Sequence, residues 1–366
     1  MLSSLFRFLV VWLLGEAYEL ALRNVSYLKE RASRVELDSG SVEETWVNAG
    51  FSGGFNGSVA GVDGGRNWVE CRDFVLYVVD AEAVVFTDGE EGESVRMVDV
   101  DVLYPHRHVE DRIASYSEIL EGKAAYMALR DRRVDRVFMD GSLIGVLIRP
   151  PFRGYASLRE RGFERHAERV VNSWDRMLDE AVFSKRMLEE VVCAYGEMGG
   201  AAASFLESAE KLLVYRRLLE DYGDRLVFVS KTSRGCDYFK SFKSDISIFN
   251  EFTGRSGYSK PLHLEISRKA KWRFPVFDDF FRGLTVTVFY ARLEDRGPVL
   301  RFEVPGCVEG RVVEEVLVQA STYSVLGYPY PLRKAHMDVK VSDDEIERVF
   351  RIVGFYEAER GREFLE

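Results

Sequence analysis

The chain has 366 residues, of which 46% are hydrophobic and 30% charged, and its formal net charge is −10. This length and composition allow one large or two modest domains with a sizeable core, and they exclude a disordered tail or a wholly basic nucleic-acid coat. Four cysteines are scattered without a CxxC pair, which argues against a zinc site or a disulfide framework and favours a reducing cytoplasm.

The N-terminal segment is strongly apolar. Its run from Phe8 to Leu14 is too short to span a bilayer, and no small-residue cleavage site precedes Glu16. We predict an apolar helix that continues into EAYELALRNVSYLKERASRV, and we assign residues 1–50 to an N-terminal helical segment. The ordinary interpretation is a core or dimer helix, and the alternative is a contact with a partner protein or a membrane surface.

Three β segments follow between about residues 57 and 104. SVAGVDGG, DFVLYVVDAEAVVFTDG and SVRMVDVDVLYP are separated by glycine-rich or acidic turns, which predicts an antiparallel meander. In residues 108–130 apolar side chains recur at spacings of three and four, which predicts an amphipathic helix. The apolar strand VDRVFMD then ends at Asp140, just before the turn formers Gly141 and Ser142.

The second half of the chain begins with a long helical segment. Residues 155–222 are charge-rich and helical by composition, with GGAAAS at 199–204 as a predicted break. DRLVFVSKTS is an apolar strand that ends in Lys231, and GLTVTVFYARLED with PVLRFEVPG predicts a hairpin. VEGRVVEEVLVQASTYSVL predicts a helix, YPYPLRKAHMDVKVS a proline-bearing connection, and DDEIERVFRIVGFYEAER the final helix.

The order of these elements predicts an α/β fold with an RNase H-like mixed sheet. A three-strand antiparallel meander and parallel strands would be flanked by helices, with residues 155–222 as a helical insertion. In that arrangement the first and fourth strands are parallel neighbours, so Asp63 and Asp140 would face each other at the carboxyl end of the sheet. Carboxylates this close repel unless a divalent cation lies between them, and oxygen ligands favour Mg²⁺ or Mn²⁺. Two such ions can promote phosphodiester hydrolysis.

Other side chains could complete this site. The helix before the fourth strand offers Glu118 and Glu121, three residues apart, as a third acidic ligand. Lys231 could bind a phosphate or position water, and His336 could bind a metal or shuttle a proton. Each candidate has an ordinary alternative: a turn or N-cap aspartate, a solvated helix glutamate, a strand-end lysine or a surface histidine. His106 and His108 form an HxH pair that is a weaker metal candidate.

Four motifs, taken in order, resemble the NurA nuclease domain family. They are GVDGG, FMDGSL, VSKTS and YPYPLRKAH, and the resemblance covers roughly residues 55–345. It implies a Mn²⁺-dependent (or Mg²⁺-dependent) DNA nuclease with an RNase H-like fold. Such proteins work as homodimers with the hexameric ATPase HerA, in end resection during double-strand break repair. One departure is VDGG, where many members would have VDGS.

Carried over to this chain, the resemblance marks two metal-binding acids and supports two further active-site residues. For the helix glutamate we prefer Glu118 and keep Glu121 as the substitute. The predicted metal ligands are Asp63, Glu118 and Asp140, and Lys231 and His336 are the other predicted catalytic residues.

We therefore predict a cytoplasmic metal-dependent nuclease acting on single- and double-stranded DNA ends, with 5′→3′ exonuclease and single-strand endonuclease activity. It would be a homodimer with a HerA-type ATPase and would have no membrane contact. Residues 51–345 would form the nuclease domain, and residues 346–366 a C-terminal helix packed on it. SRKAKWR at 267–273 could contact phosphates, and several aromatic side chains could stack on bases. These aromatic candidates are Tyr323, Tyr328, Tyr330, Phe277 and Phe280.

Two other classes compete with this hypothesis. One is a catalytically silent RNase H-like structural partner of a DNA-translocating motor, which the intact acid pair disfavours. The other is an actin-like ATPase, which also begins with a strand ending in an acid–glycine turn. That class needs further glycine-rich phosphate loops, which we do not find in the sequence.

Overall fold

The structure is a computed structural model that describes residues 15–33, 39–51, 53–149 and 155–355. Within these ranges, 11 strands form one mixed sheet, and a small second sheet has two strands. The strands are β1 Trp46–Asn48, β2 Ser58–Glu70, β3 Val75–Thr87, β4 Glu90–Glu91, β5 Val95–Val102, β6 Arg136–Asp140, β7 Leu226–Ser230, β8 Gly257–Ser259, β9 Leu262–Glu265, β10 Thr285–Arg292, β11 Val299–Pro305, β12 Ser324–Val325 and β13 Tyr328–Pro329.

The helices cover both faces of the large sheet. They are α1 (15–23), α2 Val25–Ser33, α3 Ser39–Glu43, α4 Val109–Asp131, α5 Leu143–Ile148, α6 Tyr155–Glu160, α7 Glu164–Val171, α8 Trp174–Met177, α9 Leu188–Tyr195, α10 Gly199–Tyr222, α11 Asp245–Phe252, α12 Ile266–Lys269, α13 Asp278–Gly283, α14 Gly310–Thr322, α15 Tyr330–Asp338 and α16 Asp343–Val353. Short 3₁₀ helices span Phe183–Met187, Gly196–Met198 and Gly223–Arg225. In the part of the chain described, no helix has the length and apolar content needed to cross a membrane.

The strand order confirms the predicted RNase H-like α/β fold. The large sheet runs β1-β8-β10-β11-β7-β6-β2-β3-β4, with β5 paired to β3 and β9 to β10. β2, β3 and β5 form the antiparallel meander, and β6 is parallel to both β2 and β7. β10 and β11 form the predicted hairpin. β1 pairs with β8, so the sheet begins before residue 51.

Side-chain alternation along the strands feeds two cores, one on each face of the sheet. Val62, Met139 and Phe228 belong to the core on the face covered by α4, and α10 packs on the outside of α4. Val59 and Phe138, on neighbouring positions of the same strands, belong to the core that includes side chains of α14 and α15. The sheet is therefore the middle layer of the fold. A polar side chain on these strands points either toward α4 or toward α14 and α15.

The two glycines after Asp63 do not form the predicted turn but lie inside a strand. β2 does not stop at Asp63 but stays paired to β3 as far as Glu70. A Cβ atom at Gly61 would overlap the backbone of Pro331, and one at Gly65 would overlap the carbonyl of Val339. These glycines allow α15 to lie directly on the backbone of β2, which is a known use of glycine inside a strand.

The predicted break at GGAAAS is wrong. These residues form the first turns of α10, which runs unbroken from Gly199 for 24 residues, and the interruption lies just before it. Glycine is needed there for close packing, since a Cβ at Gly200 would come within 2.9 Å of Arg107 Cβ. α10 is tied to α4 by two ion pairs whose side chains are at most 1% exposed. These pairs are Arg112–Glu207 at 2.6 Å and Lys123–Glu210 at 2.7 Å.

The proline-bearing connection near the C-terminus is also different from the prediction, because it contains the helix α15. Pro331 is the second residue of α15, where its missing N–H removes no helix hydrogen bond. The final helix α16 begins at the predicted Asp343, with a capping box from Ser342 and Glu345, and it packs against β2 and β3. It ends at Val353, earlier than predicted, because Gly354 takes the left-handed conformation of a helix C-cap. At the other end of the chain, the apolar run of residues 8–14 lies outside the described residues.

Candidate metal centre

Three neighbouring parallel strands bring charged side chains together at the carboxyl ends of β6 and β7, beside the middle of β2. Val62 of β2 pairs with Met139 of β6, so the next residues, Asp63 and Asp140, are neighbours. Both lie on the face of α15, since Val59 and Phe138 are on that face and alternate positions share it. Lys231 directly follows β7, and its Nζ is 3.1 Å from Oδ2 of Asp140.

The helix α15 adds a histidine from the opposite side. Nδ1 of His336 is 2.7 Å from Oδ2 of Asp63. One potential ligand atom each from Asp63, Asp140 and His336 lies within 4.8 Å of the others. Among the described residues, no other group of three or more histidines, cysteines, aspartates or glutamates comes this close together.

The electrostatics of this cluster favour a cation. Burial and the nearby carboxylate of Asp140 raise the pKa of Asp63 above its ordinary value. A hydrogen bond from His336 and one from the Gly64 N–H (2.9 Å) oppose that rise but do not cancel it. Two carboxylate oxygens and an imidazole nitrogen form a donor set that can bind a divalent ion such as Mn²⁺, which would offset the excess negative charge.

The two helix glutamates have different environments. Glu118 is buried, and its carboxylate is held by Lys211 Nζ at 2.9 Å and Arg149 Nη2 at 2.5 Å. Burial alone would raise the pKa of Glu118, but these two cations outweigh it and leave the pKa lowered. The carboxylate of Glu118 is therefore already paired with Lys211 of α10 and with Arg149, which follows α5. Glu118 does not belong to the three-residue cluster.

Glu121, one turn later on α4, lies beside the strand that carries Asp63. A Cβ atom at Gly64 would overlap its Oε1, which also accepts a hydrogen bond from Ser117 Oγ at 3.1 Å. Burial, Glu118 and Asp63 raise the pKa of Glu121 well above its ordinary value. Among the described residues Glu121 has no ion pair with a lysine or arginine, and the charge of Arg66 only partly opposes the rise in its pKa. Like Glu118, it lies outside the three-residue cluster.

Tyr328 is a neighbour of the cluster that the sequence indicated only as one of several stacking candidates. Its ring centroid is 5.3 Å from Lys231 Nζ. Burial, and then the negative charges of Asp140 and Asp63, raise the pKa of Tyr328, so its hydroxyl stays protonated at neutral pH. The sequence signal for it is the motif YPYPLRKAH, which contains both Tyr328 and His336.

The other sequence candidates lie elsewhere. His106 is exposed near the start of α4, and neither it nor His108 belongs to a close group of potential ligands in the described ranges. Lys269 of the basic segment forms an ion pair with Asp237. Tyr323 is a core residue whose hydroxyl donates to the carbonyl of Gly57 at 2.9 Å.

The sequence is similar to those of several proteins that share one family name. A probable DNA double-strand break repair nuclease NurA from Methanocaldococcus jannaschii is 26% identical, over 92% of this chain and 88% of that protein. The DNA double-strand break repair nuclease NurA of Sulfolobus acidocaldarius is 29% identical, over 85% of each.

Solved structures with the same fold include the NurA nuclease from Sulfolobus solfataricus, with a TM-score of 0.70 and 24% identity over 94% of this chain and 96% of that one. NurA bound to dAMP and manganese also has a TM-score of 0.70, with 16% identity over 94% and 97% of the two chains. The NurA domain family model matches residues 57–341. Because that match covers most of the sequence, this chain belongs to the NurA family.

Proposed function

We propose that this protein is a metal-dependent DNA nuclease that acts in double-strand break repair. The observation that carries the proposal is the cluster of Asp63, Asp140 and His336, with a potential ligand atom of each within 4.8 Å of the others. Relatives named as DNA double-strand break repair nucleases and a NurA structure solved with manganese support DNA as the substrate and Mn²⁺ as the ion.

The residues divide into ion-binding and substrate-handling groups. Asp63 and Asp140 would hold the ion on the α15 face of the sheet. As the third acid, reaching the ion from α4 beside Gly64, we prefer Glu121 to Glu118 because Glu118 already holds two cations. A bound Mn²⁺ or Mg²⁺ would neutralise these carboxylates and lower the pKa of the attacking water. His336 keeps Nδ1 against Asp63, which leaves Nε2 to accept or deliver a proton.

Lys231 and Tyr328 would bind the phosphate. The ammonium of Lys231 attracts its nonbridging oxygens, and the protonated hydroxyl of Tyr328 can donate a hydrogen bond. In the reaction a bond forms between the water oxygen and phosphorus, and the bond to one ester oxygen breaks. The water loses its proton to a base, and the leaving oxygen gains one.

The activity is tested with end-labelled single- and double-stranded DNA in Mn²⁺, Mg²⁺ or EDTA. We expect the parent to degrade DNA with Mn²⁺ and not with EDTA, and we expect Asp63→Ala and Asp140→Ala to be inactive. Asp344→Ala, which removes an exposed acid of α16, is the matched control and should keep parent activity. If both site variants degraded DNA at the parent rate, the proposal would be wrong.

The same labelled ends test the finer activity that we propose, 5′→3′ exonuclease cleavage together with single-strand endonuclease cleavage. A 5′ label should appear first as mononucleotide, whereas a 3′ label should remain on shortening fragments. A circular single strand should also be cut. Release of a 3′ label as the first product would contradict the polarity, and an intact circle would contradict the endonuclease activity.

We also propose a homodimer that works with a HerA-type hexameric ATPase. Supporting the homodimer, α1 and α2 leave large apolar side chains in solvent, among them Leu20 at 57% and Leu22 at 74% exposure. Light scattering of the full chain should give twice the monomer mass, and Leu20→Ser/Leu22→Ser should lower it. Addition of the ATPase with ATP should increase resection of duplex ends; a rate unchanged by ATP would contradict the partnership.

The catalytically silent partner remains the second candidate function. It would account for the same fold, but it gives no reason for a buried Asp63 with a raised pKa beside a second acid and a histidine. Under that function Asp140→Ala would leave stimulation of the ATPase unchanged, while the parent would show no cleavage in any metal.

A further inference from the structure

The loop that follows β7, residues 231–244, holds one aromatic side chain in solvent. Phe242 has a relative exposure of 111%, the highest among the exposed large hydrophobic side chains of the described residues. Two other aromatics of the same loop, Tyr238 and Phe239, instead pack against Phe249, with ring centroids 5.4 Å and 5.0 Å apart. The loop therefore packs two of its aromatic rings against α11 and leaves the third in solvent.

The backbone that leads up to Phe242 is fixed by hydrogen bonds to Asp245, the first residue of α11. The carboxylate of Asp245 is buried and accepts three backbone N–H groups, from Asp237 at 2.6 Å, Tyr238 at 3.1 Å and Phe239 at 3.2 Å. A carboxylate that accepts three amides fixes the backbone around it. Phe242 follows this fixed segment, and next to it the N–H of Lys243 donates to Ser241 Oγ at 3.3 Å. Its surroundings are therefore hydrogen-bonded, in contrast to those of an apolar side chain at a fraying terminus.

The loop is basic although the protein is acidic. Residues 231–244 contain four basic side chains, Lys231, Arg234, Lys240 and Lys243, and one acid, Asp237, in a chain with a net charge of −10. Arg234 and Lys240 are exposed, whereas Asp237 is held by an ion pair with a lysine of α12. A local positive patch on an acidic body, with an aromatic inside it, is typical of nucleic-acid contacts.

The base of the loop is tied to the candidate metal centre. Arg301 donates from Nη1 to Ser233 Oγ at 3.2 Å and forms an ion pair with Glu303 at 2.8 Å. Glu303 in turn accepts a hydrogen bond from Ser142 Oγ at 2.6 Å, in the turn that follows Asp140. These polar contacts therefore connect the base of the loop to the turn after Asp140, and Lys231, the first residue of the loop, forms an ion pair with Asp140.

We propose that Phe242 is a stacking platform for a base of single-stranded DNA next to the strand being cut. One base lies on the Phe242 ring while Arg234 and Lys240 bind the adjacent phosphates. This inference rests on the proposed nuclease function. Because paired bases are stacked on their neighbours in a duplex, the platform favours an unpaired strand, without preference for base identity.

The test measures binding of a short oligothymidylate in EDTA, where cleavage is absent, by fluorescence anisotropy. Phe242→Ala should weaken binding by about 5- to 100-fold, as expected for one aromatic–base stack. Phe242→Trp should keep or tighten binding, and Phe242→Leu should bind as weakly as Phe242→Ala because leucine lacks an aromatic face. A fluorescent base analogue in the strand should be quenched by the parent and by Phe242→Trp only.

The control is Ile352→Ala, which removes an apolar side chain that is 83% exposed on α16 and should bind DNA like the parent. If the parent cleaves DNA but Phe242→Ala or Phe242→Leu binds as tightly as the parent, stacking is refuted and the nuclease function stands; this also covers a Phe242 that serves a protein partner. If the parent neither binds nor cleaves DNA, the nuclease function fails, and the platform fails with it.

Discussion

Substituting the two glutamates of α4 should give opposite results, although they are one turn apart. Glu118→Gln removes the charge that holds Lys211 and Arg149, and the Glu118 and Lys211 side chains are only 8% and 10% exposed. Breaking a buried ion pair by neutralising one partner costs about 3–5 kcal/mol. Because Arg149 is partly exposed and the glutamine keeps an amide oxygen, we expect a cost of about 3 kcal/mol for Glu118→Gln. We expect Glu118→Gln to lose stability and to keep Mn²⁺-dependent cleavage once folded.

Glu121→Gln should show the reverse behaviour. The pKa of Glu121 is raised in the folded protein, so its favourable contribution is present below its unfolded pKa and is lost as pH rises. At pH 7 without metal, the variant should therefore be at least as stable as the parent. It should lose Mn²⁺-dependent cleavage, and Mn²⁺ should no longer raise its melting temperature as it does for the parent.

Both variants are compared by urea unfolding at pH 7 in EDTA and in Mn²⁺, with DNA cleavage measured on the same samples. Glu110→Gln, at an exposed site in the first turn of α4, is the matched control and should change neither property. The low pKa of Glu118 predicts that the stability gap between the parent and Glu118→Gln narrows as the pH falls through that pKa. An inactive but fully stable Glu118→Gln, together with an active Glu121→Gln, would refute the reasoning.

Three further changes test other parts of the structure. Gly65→Ser should lower the free energy of unfolding by about 1–3 kcal/mol and reduce cleavage, because its side chain would overlap the carbonyl of Val339. Gly54→Ser, in open space, is the control and should be neutral. Equal melting temperatures of the two variants would contradict the close contact at Gly65. Burial raises the pKa of Asp80 to about 6, so the charged carboxylate destabilises the folded protein at pH 7. Asp80→Asn should therefore raise the free energy of unfolding by about 1–3 kcal/mol at pH 7 in EDTA and leave it unchanged at pH 4. A stabilisation independent of pH would exclude this cause. Lys231→Ala should lower the cleavage rate about 100-fold with little change in unfolding, and parent-like rates would remove Lys231 from the site.

The strands that carry the acid pair were predictable because their signals are local. Each is an apolar run followed by an aspartate, and the meander–helix–strand order makes β2 and β6 parallel neighbours. The glycines after Asp63 were misread as a turn because their need arises from α15, far away in the sequence. α15 itself was missed because prolines at Pro329 and Pro331 mask a short helix.

The choice between the helix glutamates could not be made from the sequence of α4. Both lie within its first four turns, and their difference depends on Lys211 of α10 and Arg149, which are distant along the chain. The same holds for Tyr328, whose two-residue strand has no periodic signal. Local sequence patterns therefore do not predict the role of a side chain whose environment is made by residues distant in the sequence.

The buried ion pairs between α4 and α10 have a consequence for behaviour at high temperature. Arg112–Glu207 and Lys123–Glu210 are almost fully removed from water, so at 25 °C much of their attraction is offset by the loss of hydration. The hydration of charged groups weakens on heating, so this offset shrinks while stabilisation per area of apolar contact levels off. The contact between α4 and α10 should therefore weaken less on warming than a purely apolar contact would. As long as that contact persists, α4 keeps its position, and Glu118 and Glu121 keep theirs.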